Sequence, residues 1–584
     1  MLKIFKYLLP KEWLIALISV GVITMQVWVE LSIIGYMSDV AKLTQSPTGQ
    51  IADILRVGSI MLGLTLVSLL LIVVVNYFTA VVGSNFSKRL REIQFTKVNA
   101  FSMEEISKFS VDSLITRSTN DITQVQMLIT MGFMLIVRAP ITAIWAVIKM
   151  QAGAPEWVMA TAGAVAVLLV MITFIIFKVM PKFQKMQSLV DNINRVTREG
   201  LTGLRVARAY NAEDYQETKF EKANDELTGT QLYTSRAMAI MMPTMMLIMS
   251  GISLAIYFIG AGLIDSAPVM ERVPIFANMV VFSSYAVQII MAFVMLMMIF
   301  IMMPRASVSA KRVLEVLESE PSIVDGSKKS GNVKKGELEF KNVSFKYPGA
   351  SENILNNISF TANPGETVAF IGSTGSGKST IINLIPRLYD VTSGEILVDG
   401  VNVKDYVQED LFDKLGYVSQ KAILFRGTVS SNVIYGSEDK KKITEESIKQ
   451  ALDIAQGTEF VEKMEKGYNS EIAQAGTNVS GGQKQRLSIA RAIYKNPEIF
   501  IFDDSFSALD YKTDRVLRAT LERELKDSTK IIVAQRIGTI MEADKIIVVD
   551  NGEIVGMGKH RELLNNCEVY LQIARSQLSE EELA

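Results

Sequence analysis

The sequence predicts a polytopic α-helical membrane domain with six transmembrane helices, followed by a soluble α/β domain. Long apolar runs and all four tryptophans fall in the first 300 of the 584 residues. A polar stretch, ESEPSIVDGSKKSGNVKKG, then marks a boundary. Beyond it, a β-rich run, a glycine loop and a helical-looking segment follow one another, as in an α/β domain. We therefore assign residues 1–317 to the membrane domain, 318–336 to a linker and 337–584 to the soluble domain.

Six apolar segments are long enough to cross a bilayer, whose core needs about 20 helical residues. They cover residues 13–37, 57–83, 128–150, 156–179, 239–264 and 276–303. The connections at 84–127 and 180–238 are long and rich in Lys and Arg, whereas the alternate connections are short and poor in both. Basic loops stay inside, so both termini are predicted to lie in the cytoplasm. Because the long connections lack turn clusters, we expect them to extend the membrane helices inward.

Composition excludes several classes of function. The formal net charge is −1, so no global basic field indicates a nucleic-acid partner. Cys567 is the only cysteine, which excludes an internal disulfide and a thiolate zinc cluster. The partners indicated at this stage are the lipid bilayer and whatever the membrane domain carries.

Two ionisable residues interrupt the predicted spans. Glu30 lies about 26 Å along the first helix, which places it near the outer leaflet. It either attracts a cationic substrate or, as a structural charge, reaches the interface or pairs with another span. Arg138, in LIVRAP, is expected near the inner end of the third span as a partner for backbone or carboxylate.

Methionine is concentrated in the last part of the membrane domain, between Met238 and Met303. Flexible, polarizable thioethers suit a surface that accommodates many apolar shapes, and they also fill gaps between packed helices. The sequence leaves both interpretations open.

The soluble domain carries a phosphate-binding loop. GSTGSGKST at 372–380 has the spacing G-x-x-x-x-G-K-[ST] and stands between the β-rich ETVAFIG and the helical-looking TIINLIPRLY. Its backbone N–H groups and the helix N-terminus can face phosphate oxygens. The predicted nucleotide-binding residues here are Gly372, Ser373, Thr374, Gly375, Ser376, Gly377, Lys378, Ser379 and Thr380.

Within that loop, Lys378 is expected to reach the β- and γ-phosphates of ATP, and the Ser379 hydroxyl to ligate Mg²⁺. Asp503 ends the apolar strand IFIFD and supplies a carboxylate on the metal side. ATP and Mg²⁺ are therefore the predicted ligands.

From Glu337 to about Ala574 the chain resembles the nucleotide-binding domain of an ATP-binding cassette (ABC) transporter. VSGGQKQRLSIARA resembles the signature motif of that family, and SALD at 507–510 its D-loop. By this resemblance Tyr347, in FKYPG, stacks on adenine. Gln420, in YVSQ, matches the residue that touches Mg²⁺ and senses the membrane domain.

Six spans followed by one such domain resemble a half-transporter of the exporter type. In this family two nucleotide-binding domains close head to tail around two ATP molecules. The resemblance implies that the γ-phosphate held by the partner's P-loop is contacted by Ser480, Gly481, Gly482 and Gln483.

The resemblance is incomplete at two positions that matter for hydrolysis. Asp504 follows Asp503 where the family's general base is glutamate, and Gln535, in IIVAQR, stands where it has histidine. The only histidine of the chain is His560. The segment before the signature motif, EIAQAG at 471–476, also departs from the family, whose exporters often have a Gly-Glu-Arg-Gly-like run there. Aspartate is one methylene shorter than glutamate, and misplacing a catalytic group by about 1 Å costs roughly 10²-fold in rate.

Gln535 can donate a hydrogen bond to phosphate but carries no positive charge, so transition-state stabilisation is also weakened. We therefore expect the P-loop site of this chain to be degenerate, with a catalytic set of Asp504, Gln535 and Gln420 in which Asp504 and Gln535 are altered. The expected partner is a homologous half-transporter with Glu after its Walker B aspartate, the position of Asp504 here, and with a switch His at the position of Gln535. The pair would export amphipathic drugs or other small molecules.

Three alternatives remain open at this stage. The substitutions could be tolerated in a homodimer. The substrate could be a specific lipid, peptide or metabolite that is exported or flipped. The chain could also be a regulatory membrane subunit that binds ATP and transports nothing.

Overall fold

The computed structural model describes residues 2–45, 50–151, 154–329, 335–436 and 443–579. Residues 330–334 of the predicted linker lie outside this set. The chain divides into two compact units. One unit combines Met1–Asn99 with Asp112–Ser319, and the other combines Ala100–Val111 with Glu320–Ala584.

Six helices in the described part of the first unit are long and apolar enough to cross a membrane. In chain order they are Pro10–Gln45, Ile51–Asn99, Val111–Met150, Pro155–Thr202, Glu213–Ser266 and Val269–Glu318, here called the first to sixth membrane helices. Each contains one predicted span, so the six-span prediction is confirmed. A short 3-10 helix, Leu2–Tyr7, precedes them.

The long basic connections are largely helical, as expected. The second membrane helix continues to Asn99 and the fourth to Thr202, far past the 20 or so residues that a bilayer requires. The chain reverses through the short helices Met103–Phe109 and Leu204–Ala209. Single π-helical turns interrupt the third and fourth membrane helices at Arg117–Asp121, Leu128–Gly132 and Ile175–Val179.

The two ionisable residues of the predicted spans form an ion pair. An Arg138 guanidinium nitrogen lies 2.7 Å from Glu30 Oε2, and Gln26 Nε2 donates to the same oxygen over 3.2 Å. The prediction of a carboxylate partner for Arg138 is thus confirmed. Its expected place near the inner end of the span stays a prediction; Arg138 lies level with Glu30 of the first membrane helix. Pairing offsets the cost of burying each charge.

The second unit contains three sheets. A four-stranded antiparallel sheet has the order β2-β1-β4-β5, and a six-stranded sheet has the order β12-β11-β3-β10-β9-β6. A two-stranded sheet pairs β7 with β8. The strands are β1 Leu338–Phe345, β2 Leu355–Ala362, β3 Thr367–Ile371, β4 Ser393–Val398, β5 Val401–Asn402, β6 Leu415–Val418, β7 Gly427–Thr428, β8 Glu471–Ile472, β9 Ile499–Asp503, β10 Thr529–Val533, β11 Lys545–Asp550 and β12 Glu553–Gly558.

Helices flank these sheets and place the polar loops of the site. They are Lys378–Leu384, Gln408–Lys414, Val429–Val433, Glu445–Ile454, Thr458–Glu462, Gly481–Lys495, Tyr511–Glu524, Ile537–Ile540, His560–Asn566 and Glu568–Arg575. Strands β3, β6, β9, β10 and β11 run parallel, and β9 and β10 are buried along their whole length. Buried parallel strands of this kind are nearly continuous apolar runs, and functional groups gather where they end.

Residues 100–111 join the second unit although both flanking helices belong to the first. Ser102 caps the helix Met103–Phe109 in a reciprocal capping box with Glu105. The other Glu105 carboxylate oxygen accepts a hydrogen bond from Ser322 N at 3.0 Å, and the Ser102 and Ser322 hydroxyls lie 2.9 Å apart. The predicted domain boundaries did not include this arrangement.

Candidate nucleotide-binding site

The phosphate-binding loop connects β3 to the helix Lys378–Leu384, in the predicted strand–loop–helix order. At two of its glycines, any other residue would be strained by its backbone conformation and by contact of its Cβ with a neighbour. A Cβ at Gly372, with φ of 157°, would lie 1.9 Å from the carbonyl oxygen of Val549. Gly377 has φ of 102°, and its Cβ would lie 2.6 Å from Leu355. The loop can therefore approach β11 and begin the helix only with glycine at these positions.

The Lys378 ammonium points back into the loop. Its Nζ donates to the carbonyl oxygens of Gly372 and Ser373 over 2.9 and 2.7 Å, and to Ser376 Oγ over 3.3 Å. Burial lowers the pKa of Lys378, and the nearby carboxylates of Asp504 and Asp503 oppose that shift. All three ammonium donors are thus directed at the space that the loop encloses.

Ser379 and Asp503 meet at the carboxyl end of β9. Ser379 Oγ donates to Asp503 Oδ1 over 3.1 Å. Burial raises the pKa of Asp503, and the Asp504 charge adds to the effect. No cluster of three or more His, Cys, Asp or Glu able to hold a metal occurs among the described residues. One hydroxyl and one carboxylate fit Mg²⁺, which keeps waters and takes phosphate oxygens as its remaining ligands.

Asp504, Gln420 and Gln535 form one hydrogen-bonded cluster. Asp504 Oδ2 accepts from Gln420 Nε2 over 3.3 Å and from Gln535 Nε2 over 2.8 Å. The Asp504 backbone has φ of 45°, and its N–H donates to Val533 O, so β10 fixes its position. Burial raises the Asp504 pKa, while the hydrogen bond from Gln420 lowers it. The sequence predicted these three residues, and the structure brings them together.

Gln577, near the C-terminus, holds the backbone on both sides of Arg536. Its Nε2 donates to Gln535 O over 2.9 Å, and its Oε1 accepts from Ile537 N over 2.8 Å. Sequence reasoning missed Gln577, because it follows the helix Glu568–Arg575 and carries no motif. The contact fixes the segment 534–536 between β10 and the helix Ile537–Ile540, here called the switch loop, which presents Gln535.

The signature residues begin the helix Gly481–Lys495. Ser480 caps it: the Ser480 N–H donates to Gln483 Oε1 over 2.9 Å, and the Gln483 N–H donates to Ser480 Oγ over 3.3 Å. A Cβ at Gly481 would meet nothing within 4 Å, whereas one at Gly482 would approach Ala508 O at 3.2 Å. The helix N-terminus is thus preorganised, with open space beside Gly481.

Tyr347 lies in an aromatic group at one end of the P-loop helix. Its hydroxyl is 3.1 Å from Thr380 Oγ1, and its ring meets Tyr389 edge-on with centroids 5.2 Å apart. A cavity of about 480 Å³ opens beside these rings, and Ser102 and Glu104 also line it. The sequence predicted Tyr347, but Tyr389 and the contribution of residues 100–111 were missed.

His560 takes no part in these contacts. Its Nδ1 is 2.6 Å from the hydroxyl of Tyr570, and this contact joins the helices His560–Asn566 and Glu568–Arg575. Burial lowers the pKa of the His560 imidazole. The only histidine of the chain therefore has a structural partner of its own.

Comparison with known proteins identifies both units. Residues 355–507 match the ABC transporter family model, and residues 12–303 match the model for the ABC transporter transmembrane region. An ATP-bound structure of a bacterial Atm1-family ABC exporter has the same fold. It has a TM-score of 0.73 and 22% identity, and the match covers 98% of this chain and 99% of the other.

Curated relatives extend the match along the sequence. An uncharacterized ABC transporter ATP-binding protein of Mycobacterium tuberculosis is 40% identical over 91% of this chain and 90% of its own length. YfiB of Bacillus subtilis, also an ABC transporter ATP-binding protein, is 33% identical over 90% of both chains. An ATP-dependent lipid A-core flippase of Haemophilus influenzae is 36% identical over 65% of this chain and 63% of its own. The chain belongs to the ABC transporter family, as an exporter-type half-transporter whose six-helix membrane domain is fused to an ATPase domain.

Proposed function

We propose that this protein is one subunit of a heterodimeric, ATP-driven exporter, and that its own P-loop site binds MgATP but hydrolyses it slowly. One observation carries the proposal: both Gln420 and Gln535 donate to a single oxygen of the short Asp504 side chain. Each residue then has a defined role at the site.

ATP binding uses the loop and the aromatic group. The backbone N–H groups of residues 372–380 surround the phosphates, and Lys378 turns its three donors from loop oxygens to the β- and γ-phosphates. Tyr347 offers an aromatic ring for the adenine beside a cavity of about 480 Å³.

Mg²⁺ would be held by Ser379 and Asp503, and the family resemblance assigns Gln420 a contact with it. When bound, the ion would supply positive charge that neutralises the phosphates. The Ser379–Asp503 hydrogen bond already sets these two oxygens side by side at 3.1 Å. Gln420 follows β6, so its amide can report nucleotide occupancy to the loop after that strand.

Hydrolysis at this site is slow for two reasons. An attacking water needs a base within hydrogen-bond reach, and Asp504 is one methylene shorter than glutamate while two amides occupy its Oδ2. The neutral Gln535 cannot supply positive charge to the transition state. Misplacement by about 1 Å costs roughly 10²-fold in rate, which is enough to make the site a slow one.

The signature of this chain serves the other site. Ser480 and Gln483 preorganise the N-terminus of a 15-residue helix, and such a terminus favours an anion. With Gly481 and Gly482, they would contact the γ-phosphate on the partner's P-loop. Two copies of this chain would give two impaired sites, so the proposed partner carries Glu after Walker B and a switch His.

Coupling runs through residues 100–111. This segment lines the cavity beside Tyr347 and Tyr389 and connects the second membrane helix to the third. ATP binding can move those helices only if the two membrane states differ in their affinity for the closed nucleotide domains. Because ATP is cytoplasmic, both termini face the cytoplasm of a bacterial-type plasma membrane.

The proposed substrate is an amphipathic small molecule. The methionine-rich fifth and sixth membrane helices offer an adaptable apolar surface. A second candidate, flipping of a lipid, is favoured by the similarity to the lipid A-core flippase. Stimulation of ATPase by many unrelated amphiphiles supports the first candidate, and stimulation by one lipid class supports the second.

The experiment compares ATPase activity of the purified chain alone with that of the chain co-purified with a homologous half-transporter carrying Glu and His. We expect the lone chain to turn over roughly 10²-fold more slowly than the complex. A lone chain as fast as the complex would show that the substitutions are benign and that the exporter is a homodimer. Unchanged substrate flux after Lys378→Ala in the complex would instead favour a regulatory subunit.

A further inference from the structure

A groove runs between the fourth and fifth membrane helices of the first unit. Its volume is about 530 Å³, within the usual range of about 300–1,000 Å³ for small-molecule sites. One end is lined by Met171, Phe174 and Ile240, and the other by Tyr233 and Arg236. The groove is thus apolar along one half and cationic at the opposite end.

The cationic end has a second basic group. Lys182 Nζ lies 5.8 Å from the centroid of the Tyr233 ring. Tyr233 itself is one turn of the fifth membrane helix away from Arg236. In the described part of the chain, neither Lys182 nor Arg236 makes an ion pair with a carboxylate. By contrast, Arg89 and Arg138 each pair with a glutamate. None of the residues lining the groove is acidic.

The wall of the groove contains a π-helical turn. Ile175 lines the groove and begins the turn Ile175–Val179, where the fourth membrane helix departs from α-helical hydrogen bonding. Such single turns occur frequently at functional sites. On the facing helix, a Cβ at Gly229 would meet nothing within 4 Å, so the groove stays open at its cationic end.

The position of the groove in the bilayer indicates which kind of ligand it can bind. The predicted spans end at residue 179 on the fourth helix and begin at residue 239 on the fifth, so Lys182 and Arg236 lie just beyond them. In the orientation proposed above, on which this step depends, the apolar half faces acyl chains and the basic pair lies at the headgroups of the cytoplasmic leaflet. That leaflet carries anionic lipids, which attract basic residues near its surface.

We propose that this groove binds an anionic phospholipid of the cytoplasmic leaflet. The phosphate lies between Arg236 and Lys182, and an acyl chain packs against Met171, Phe174 and Ile240. Soluble phosphate would leave the apolar half unused, and a zwitterionic lipid would find no carboxylate for its cationic group. Because the groove is formed by two helices, the bound lipid bridges them.

The test uses the assembled transporter in nanodiscs of phosphatidylcholine with a trace of photoreactive phosphatidylglycerol. Cross-links are mapped to the two segments 171–182 and 229–244 by mass spectrometry. We expect labelling there to be displaced by unlabelled phosphatidylglycerol, and neither by added phosphatidylcholine nor by inorganic phosphate. Arg236→Gln should lower this labelling about tenfold, because it removes a hydrogen-bonding charge.

Two further variants control for folding and for general surface charge. Arg236→Lys keeps the charge and should retain most of the labelling. Lys185→Gln removes an exposed positive charge near the same depth but outside the lining, and should change it little. Equal competition by both lipids, or equal losses in Arg236→Gln and Lys185→Gln, would overturn the proposal. Cross-linking measures lipid binding only, so its outcome is independent of the ATPase comparison that tests the heterodimer.

Discussion

Gln535 donates a hydrogen bond from Nε2 to Oδ2 of Asp504 over 2.8 Å. The residue proposed for the switch position is therefore bonded to the residue proposed for the general-base position, and Gln420 donates to the same oxygen. Both departures from the family's hydrolytic pattern thus meet at one atom. A neutral amide on the carboxylate favours keeping the side chain in place over activating a water.

Lys378→Ala is expected to abolish high-affinity ATP binding at the site of this chain. The substitution removes the only side-chain ammonium directed into the phosphate loop from within it. Binding of a fluorescent ATP analogue should weaken by at least about tenfold, the loss that a charge-assisted hydrogen bond implies. Lys526→Ala, which removes an exposed lysine elsewhere in the domain, should leave affinity unchanged. Equal affinity in both variants would contradict the assigned role of Lys378.

Asp504→Asn is expected to stabilise the nucleotide-free protein at neutral pH. Burial raises the Asp504 pKa in the folded state, so ionisation costs folding free energy as pH rises above the unfolded value of about 3.9. Asparagine keeps an acceptor oxygen for the two glutamines and carries no charge. The difference in melting temperature between variant and parent should be near zero at about pH 4 and grow toward neutrality.

The control for that experiment is Asp527→Asn, at an exposed aspartate between the helix Tyr511–Glu524 and β10. It should show no such pH-dependent gain. If Asp504→Asn melts lower than the parent at pH 7, the carboxylate stabilises the site as an anion, and the proposed direction is wrong.

Gln577→Ala is expected to loosen the switch loop without altering ATP affinity. Both hydrogen bonds from the Gln577 amide to the backbone around Arg536 would be lost. Amide hydrogen exchange at residues 535–539 should accelerate, most clearly at Ile537, whose N–H loses its acceptor. Gln577→Glu should protect Ile537 and free the Gln535 carbonyl. Gln572→Ala, at an exposed glutamine in the preceding helix, should leave exchange in the switch loop unchanged. If Gln572→Ala accelerates exchange at residues 535–539 as much as Gln577→Ala does, Gln577 has no specific role.

Breaking the Glu30–Arg138 pair from one side is expected to cost more than replacing both residues. Glu30→Gln leaves a partly buried guanidinium without its counter-charge, and we expect a loss of roughly 1–3 kcal/mol, reduced by partial exposure from that of a fully buried pair. The double variant Glu30→Leu, Arg138→Met should lose less. Thermal melting in detergent measures both. The single variants Glu30→Leu and Arg138→Met complete the double-mutant cycle; if their two losses add up to that of the double variant, the residues are not coupled.

The P-loop, the catalytic strand end and the six spans could be predicted because local chemistry dictates them. Gly372 and Gly377 have backbone conformations that side chains disfavour, and Lys378 follows at the one spacing that directs its ammonium into the loop. The spans follow from the length and apolarity that a bilayer demands. Such features are determined by residues that are contiguous in the sequence.

The features that were missed depend on contacts between distant parts of the chain. Gln577 meets the switch loop, Tyr389 meets Tyr347, and Glu105 meets Ser322 only after the nucleotide unit has folded. No spacing rule links such pairs. The choice of Glu30 as the partner of Arg138 has the same origin, since the two residues lie in different helices.

The proposed slow site is tested most directly in a complex with the proposed partner, in which the catalytic glutamate of that partner is replaced by glutamine. With this chain unchanged, steady-state ATPase should be close to background, because the remaining P-loop site contains Asp504 and Gln535. Adding Asp504→Glu and Gln535→His to this chain should restore turnover by roughly 10²-fold, the factor attributed to base position. Substantial turnover before the restoration, or none after it, would contradict a site limited by these two residues.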